Sequence, residues 1–302
     1  MRYNIYKKGG FSHGKTCLDG RAHDTSACKA ASSRAFALGT QGRFRKSPAS
    51  LRIEGAGWCC DAGGKSDAPD GKRPCLSRRA GSDLSDRGRR LCASAVVFPL
   101  ACDEDGKFSL SSFQELEKRL SGMDAVLFGC GVGQSEELWL LLKWLFLNCR
   151  VPLVLDADGI NLLAQHMDVL RGSKCPVILT PHDGEFRRLG GDPKANDRVG
   201  EAMRFALDTG TILLLKGHRT IITDGQNVYR NTTGNPGMAT GGSGDVLSGV
   251  IVSLLGQRVM PLEAAAAGAW IHGAAGDLAA REIGEYGMIP EDIIERLPRL
   301  LR

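Results

Sequence analysis

Residues 1–92 contain no valine at all and only eight isoleucines and leucines. A strand needs β-branched and apolar side chains to cover a sheet face, so this composition argues against any regular sheet contribution from the segment. Its charge is one-sided as well. It holds 19 Lys and Arg against 8 Asp and Glu, a net of +11, whereas the remainder holds 20 against 26, a net of −6. A nucleic-acid-binding tail would interleave aromatics or repeat a motif, and this one does neither, so no nucleic-acid partner is expected. Ordinary core composition begins abruptly at Ala93-Ser-Ala-Val-Val-Phe-Pro-Leu100. The expected organisation is therefore an atypical basic segment, 1–92, disordered or out of reading frame, followed by an organised domain, 93–302.

Other absences narrow the class further. No apolar run is long enough to span a bilayer, and the N-terminal MRYNIYKKGG lacks the apolar core of a secretory signal. A cytoplasmic protein without a membrane partner is expected. The ten cysteines show no paired metal-type spacing, and Cys59-Cys60 are adjacent, so free thiols are expected and zinc is not.

From Ala93 onward strand and helix patterns alternate. Apolar runs at 124–128, 151–155, 175–180 and 211–215 read as buried strands. Helices are predicted over 135–148, 197–208, 262–282 and 290–297, the last with Pro290 in its first turn. Trp139 and Trp144 read as core anchors of the first of these. Residues 219–223 and 226–229 read as a hairpin around Asp224-Gly225. The alternation predicts an α/β fold: a mostly parallel sheet covered by helices on both faces.

Polar clusters sit at the strand ends, where such sheets place their ligands. Gly129-Cys-Gly-Val-Gly133 follows the first strand, but it is not GxGxxG and is by itself a weak phosphate signal. Asp156, Asp158 and Asn161 follow the second, as ligand contacts or as a turn and helix cap. His182-Asp183-Gly184-Glu185 follows the third, and His182 there suits a ligand contact. Lys216-Gly-His-Arg-Thr220 follows the fourth, able to hold a nucleotide phosphate, to turn the chain, or both. The alanine-rich helix carries His272 and Asp277.

The most informative stretch is Gly241-Gly-Ser-Gly-Asp245, which runs into Val246, Leu247, Val250, Ile251, Leu254 and Leu255 at helical spacing. Small residues let backbone approach an anion, and a helix start offers unpaired N–H groups and a favourable dipole. A carboxylate there repels phosphate as a ligand but suits a base acting on a hydroxyl that is to receive a phosphoryl group.

These clusters, in this order, resemble the ADP-dependent NAD(P)H-hydrate dehydratases of the ribokinase-like superfamily. The matching residues are Asp124–Gly133, Val154–Asn161, Leu179–Phe186, Leu215–Thr220 and Asn235–Asp245. The resemblance implies a ribokinase-like fold and repair of hydrated NADH or NADPH, with ADP as co-substrate, Mg2+ as cofactor and no metal-ligating residue assigned. It implies that Asp245 is the base and contacts the hydrated dinucleotide together with Gly133 and His182. Gly242, Ser243 and Gly244 would form the anion hole. Lys216, Gly217, His218, Arg219 and Thr220, with Gly244, would contact the AMP portion. Functional pairing with a hydrate epimerase and a homo-oligomer are implied too, although no segment here is a candidate epimerase.

Two departures stand out. The family's GPGLG turn has Cys130 and Val132 in place of Pro and Leu. Its N-terminal opening resembles Lys7–Thr16, after which the match stops until Ala93. His23-Asp24-Thr25 read one base along can encode the family's Met-Thr, which points to a frame shift in between. The alternatives are a pyrimidine- or thiazole-type kinase of the same superfamily, and an impaired nucleotide-binding remnant.

Overall fold

The structure, a computed structural model, describes residues 50–53 and 113–301. The proposed boundary at Ala93, the Lys7–Thr16 opening, the suspected frame shift and Cys59-Cys60 lie outside the described residues. Strands β1 (Ser50–Ile53), β2 (Ala125–Phe128), β3 (Leu153–Leu155), β4 (Val177–Leu179), β5 (Ile212–Leu215), β6 (Ile221–Thr223) and β7 (Val228–Arg230) form one sheet in that order. The first five are parallel; β6 and then β7 each pair antiparallel to the strand before.

β1 corrects one expectation. It lies in the segment from which no strand is expected, yet Ser50–Ile53 pairs residue for residue with Ala125–Phe128. At the end of the strand order a strand has one neighbour to satisfy, and four residues suffice for that.

Helices α1 (Phe113–Leu120), α2 (Glu136–Asn148), α3 (Asp158–Leu163), α4 (Asp183–Arg188) and α5 (Arg198–Thr209) belong to one layer. Helices α6 (Ser243–Gly256), α7 (Pro261–Ile283) and α8 (Pro290–Leu300) form the other. The period of two decides which core each strand residue enters. Val126, Phe128, Leu153, Leu155, Leu179, Leu213 and Leu215 join the first helix layer. Ala125, Leu127, Val154, Ile178, Leu214 and Ile222 join the second. Apolar side chains at every position of β2 to β5 follow from this, because a sheet covered on both faces has no wet side. Each fully buried Leu or Ile contributes about 1.5–3 kcal/mol by leaving water.

Local signals set the helix ends. Ser135 Oγ caps α2 by accepting from Leu138 N, and Asp197 caps α5 by accepting from Gly200 N. Gly210 ends α5 in the left-handed region at φ 66°. The β6–β7 hairpin turns at Asp224, whose carboxylate accepts from the N–H groups of Gln226 and Asn227. Trp139 and Trp144 are half-buried against the first core; Trp139 stacks on His166 at 3.9 Å and Trp144 meets Phe113 edge-on. Alanines and glycines let α7 lie close to its neighbours: a Cβ on Gly268 would be 2.7 Å from Ile251. Helix α8 runs through Pro298 to Leu300, beyond its predicted end. Among the described residues, no helix is long and apolar enough to cross a membrane.

Candidate active site

All the strand-end clusters emerge on one edge of the sheet, because β2 to β5 are parallel. β3 delivers Asp156, which is 1% exposed. Its Oδ1 accepts from Lys216 Nζ at 2.8 Å and from Ala157 N at 2.9 Å, and its Oδ2 accepts from Ser248 Oγ at 2.7 Å. A buried carboxylate requires such partners, since unpaired it would cost several kcal/mol. β5 delivers Lys216, whose Nζ also lies 3.8 Å from Glu185 Oε2. Burial works against the charged ammonium, but the carboxylates of Asp156 and then Glu185 outweigh it and hold Lys216 above the ordinary lysine range.

Above this pair lies the start of α6. Gly242 caps the helix at φ 95°, in the left-handed region that glycine occupies without strain. A Cβ on Gly244 would stand 3.5 Å from Lys216 Nζ and 3.7 Å from Asp156 Oδ2, so the helix start rests on the ion pair. Ser248 lies one turn beyond Gly244 on the same helix face, which lets it reach Asp156. Ser243 N bonds back to Thr240 O and Val246 N to Gly242 O. Among the described residues, no acceptor is in bonding range of the N–H groups of Gly242, Gly244 and Asp245. Open donors at a helix start favour an anion.

The expected anion-hole trio therefore divides. Gly242 and Gly244 keep open N–H groups, Ser243 directs its own to Thr240, and Asp245 adds one that the sequence reading did not include. Ser243 Oγ lies 3.3 Å from Nε2 of buried His272. Burial lowers the His272 pKa to about 4, with the Lys216 charge adding to the shift against a contact to the Ser243 backbone. The imidazole is thus neutral at physiological pH. Asp277 Oδ2 accepts from Gly234 N and its Oδ1 from the Asn235 amide, tying the loop before α6 to α7.

The Asp245 carboxylate lies with Cys130 Sγ and the Asp156 carboxylate, all three ligand atoms within 4.8 Å of one another. This set does not fit a resident Mg2+. Mg2+ requires octahedral oxygen donors, whereas Cys130 offers soft sulfur and Asp156 already serves Lys216, Ala157 and Ser248.

The remaining predicted residues flank this centre. His182 caps α4: its Nδ1 accepts from Gly184 N at 2.9 Å, and its own N–H donates to Glu185 Oε2 at 2.8 Å. Glu185 thus links His182 to Lys216. Gly133 N donates to Asp158 Oδ2 at 2.8 Å, so Asp158 holds the glycine turn after β2. Gly217, His218 and Arg219 are exposed, and Thr220 Oγ1 donates to Gly217 O. Arg198 supports that loop from below by donating to Lys216 O, and also binds Asp183. The structure brings Lys216 and the Gly242–Asp245 helix start together around Asp156; His182 is joined to Lys216 through Glu185, Gly133 is held by Asp158, and the exposed residues 217–219 follow Lys216. Ser248 and Arg198 were missed, and the spacing of Ser248 one turn beyond Gly244 was the signal available for the first.

Comparison with known proteins bears on the family and the fold. The family model described as NAD(P)H-hydrate dehydratase matches residues 91–299. The bifunctional NAD(P)H-hydrate repair enzyme Nnr of Moorella thermoacetica is 46% identical over 202 residues, covering 65% of this chain and 38% of that protein. The Nnr of Gloeobacter violaceus is 41% identical, covering 66% and 38%. The chain thus spans well under half the length of these curated relatives. Among solved structures, the ADP/ATP-dependent NAD(P)H-hydrate dehydratase of Bacillus subtilis, co-crystallised with ATP and Mg2+, superposes with a TM-score of 0.54 at 31% identity, covering 59% of this chain and 63% of that one. A ribokinase-like superfamily protein of Enterococcus faecalis gives 0.56 at 30%, covering 63% and 67%. The fold is ribokinase-like, and since the family match runs over more than half of its residues, this chain belongs to the NAD(P)H-hydrate dehydratase family.

Proposed function

We propose that residues 93–302 act as an ADP-dependent dehydratase that returns hydrated NADH and NADPH to the intact cofactors, releasing AMP and phosphate. The observation that carries the reading is the α6 start, where open N–H groups of Gly244 and Asp245 adjoin the Asp245 carboxylate over the Lys216–Asp156 pair. In this reading Asp245 takes the proton from the ring hydroxyl as that oxygen attacks the terminal phosphorus of ADP, and AMP departs. The open N–H groups receive the charge that builds on the phosphoryl oxygens. Phosphate then leaves the ring with the C–O bonding electrons, the neighbouring ring carbon loses a proton, and the double bond returns. Hydroxide leaves poorly and phosphate well, which is the purpose of the transfer.

Lys216 to Thr220 and Gly244 would hold the AMP portion, and Gly133 and His182 the dinucleotide. Mg2+ would enter with the nucleotide, held by its phosphates. The B. subtilis relative is named for ADP or ATP, so the preference for ADP is part of the proposal. The relatives named bifunctional repair enzymes support functional pairing with an epimerase, and a homo-oligomer in the cytoplasm completes the reading.

The test is incubation of the purified chain with hydrated NADH, ADP and Mg2+. Recovery of NADH absorbance, with one AMP and one phosphate per NADH, is expected. A folded chain that leaves the hydrate unchanged overturns the reading. A phosphorylated product that persists assigns a small-molecule kinase instead.

A further inference from the structure

The sheet edge opposite the active site carries two cysteines that the chemistry there does not use. Cys149 follows the last residue of α2, outside the helix at φ −65° and ψ 139°. Cys175 stands two residues ahead of β4. Backbone pairing brings them together. Lys174 N donates to Phe146 O at 3.0 Å, so the lead-in to β4 is bound to the last turn of α2. Leu153 N donates to Pro176 O at 2.9 Å, and the β3–β4 register carried back from Leu153 and Val177 sets Val151 beside Cys175. Cys149 Sγ in turn donates to the Val151 carbonyl at 3.4 Å.

Both thiols are free and buried, and they hydrogen-bond to each other. The bond makes them unequal. A hydrogen bond from Cys175 holds the Cys149 thiol below the ordinary range, whereas the same bond, with burial, holds Cys175 above it. Ser173 Oγ lies 3.7 Å from Cys175 Sγ and donates to Cys175 O at 3.0 Å, which fixes that residue. A thiolate next to a protonated partner thiol is the arrangement that closes a disulfide. The cover over the pair is thin. Asn148, Arg150, Lys174 and Pro176, the chain neighbours of the two cysteines, are all exposed, so a small oxidant has a short path.

We propose that Cys149 and Cys175 are a redox pair, which a peroxide converts to a disulfide joining the end of α2 to the start of β4. The Cys149 thiolate attacks one peroxide oxygen and the O–O bond breaks. The departing hydroxide takes up the proton that Cys149 released, giving water and a sulfenic acid on Cys149. The Cys175 sulfur then attacks the Cys149 sulfur, the S–O bond breaks, and hydroxide leaves as water with the Cys175 proton. The two thiols lose two electrons in all, and one peroxide becomes two waters. Neither cysteine sits inside a helix or strand, so both side chains can turn to reach the S–S length of about 2.05 Å. The loop so closed contains β3, Asp156 and α3, and the disulfide braces the segment that presents Asp156 to Lys216.

The experiment is exposure of the folded whole chain to a slight excess of hydrogen peroxide, followed by alkylation of the remaining thiols, digestion and mass spectrometry. A peptide pair joined through Cys149 and Cys175, two hydrogens lighter than the separate thiol peptides and released by dithiothreitol, is expected. The linked chain should melt several degrees above the reduced one, because the cross-link restricts the unfolded state. In Cys175→Ser, oxidation should halt at a sulfenic acid on Cys149 that dimedone labels, with the melting temperature of the reduced variant as a control for folding. A wild type without the Cys149–Cys175 link overturns the pair, whether the thiols survive, pass to sulfinic acid or pair with other cysteines. A link that forms only in the urea-unfolded chain overturns it too. An unchanged melting temperature in the linked chain overturns the bracing, and an unlabelled Cys149 in a folded Cys175→Ser overturns the order of attack. The readout requires no turnover, so it stands apart from the dehydratase assay.

Discussion

Lys216 Nζ meets Asp156 Oδ1 at 2.8 Å across sixty residues of sequence, and the start of α6 rests on the pair. The Asp156 side chain is 2% exposed and that of Lys216 21%, so water does little to screen either charge. Removing the ammonium leaves a buried carboxylate with only neutral donors. Lys216→Met should therefore cost about 3–5 kcal/mol of stability. Adding Asp156→Asn to that variant should recover part of the loss, since an amide needs no counter-charge. Denaturant unfolding of the single and double variants measures both.

Asp245→Asn removes the proposed base but retains size and the N–H donor. Proton transfer by a positioned side chain contributes typically ~10²–10⁴-fold, so turnover of hydrated NADH should fall by about that much while AMP binding stays within a few-fold. Unchanged turnover would remove Asp245 from the chemistry.

His272 makes stability depend on pH. Its folded pKa of about 4 lies below the ~6.5 of a free imidazole, so the unfolded chain binds the proton more readily. Its contribution is complete above pH ~6.5 and is lost as pH falls toward about 4, by roughly 3 kcal/mol in total. Urea unfolding across that window should show the slope, and His272→Gln should flatten it.

Gly129 joins β2 to the ligand edge at φ 124°, and a Cβ there would fall 2.0 Å from Asp156 O and 2.5 Å from Gly159 N. Both neighbours are backbone and cannot swing aside. Gly129→Ala should cost at least about 3 kcal/mol and lower AMP binding with it, because the strand end carrying Asp156 must move. Gly133→Ala, with open space at its Cβ, should cost less, arising from its φ of 80° alone. Parallel thermal melts of the two variants test the contrast.

The elements were legible because their signals are local. Buried strands read as apolar runs, the hairpin as Asp-Gly, and two of the helices as the runs 135–148 and 197–208. The structure returns each within a few residues. The glycine-rich start of α6 was legible for the same reason, since turn geometry and unpaired N–H groups belong to consecutive residues.

By itself, then, the sequence determined the strand–helix alternation, the doubly covered sheet and a phosphate-facing helix start with a carboxylate in its first turn. Only the tertiary structure decided the partnerships. Asp156 could have capped a turn, and it is instead the common partner of Lys216 and Ser248, 60 and 92 residues away. No local pattern encodes such pairs, because parallel strands bring distant ends to one edge and burial then forces the charges there to find each other. The same holds for Ser50–Ile53, whose composition predicts no strand. Its place is set by the open edge of β2, which supplies the hydrogen bonds that its own sequence does not announce.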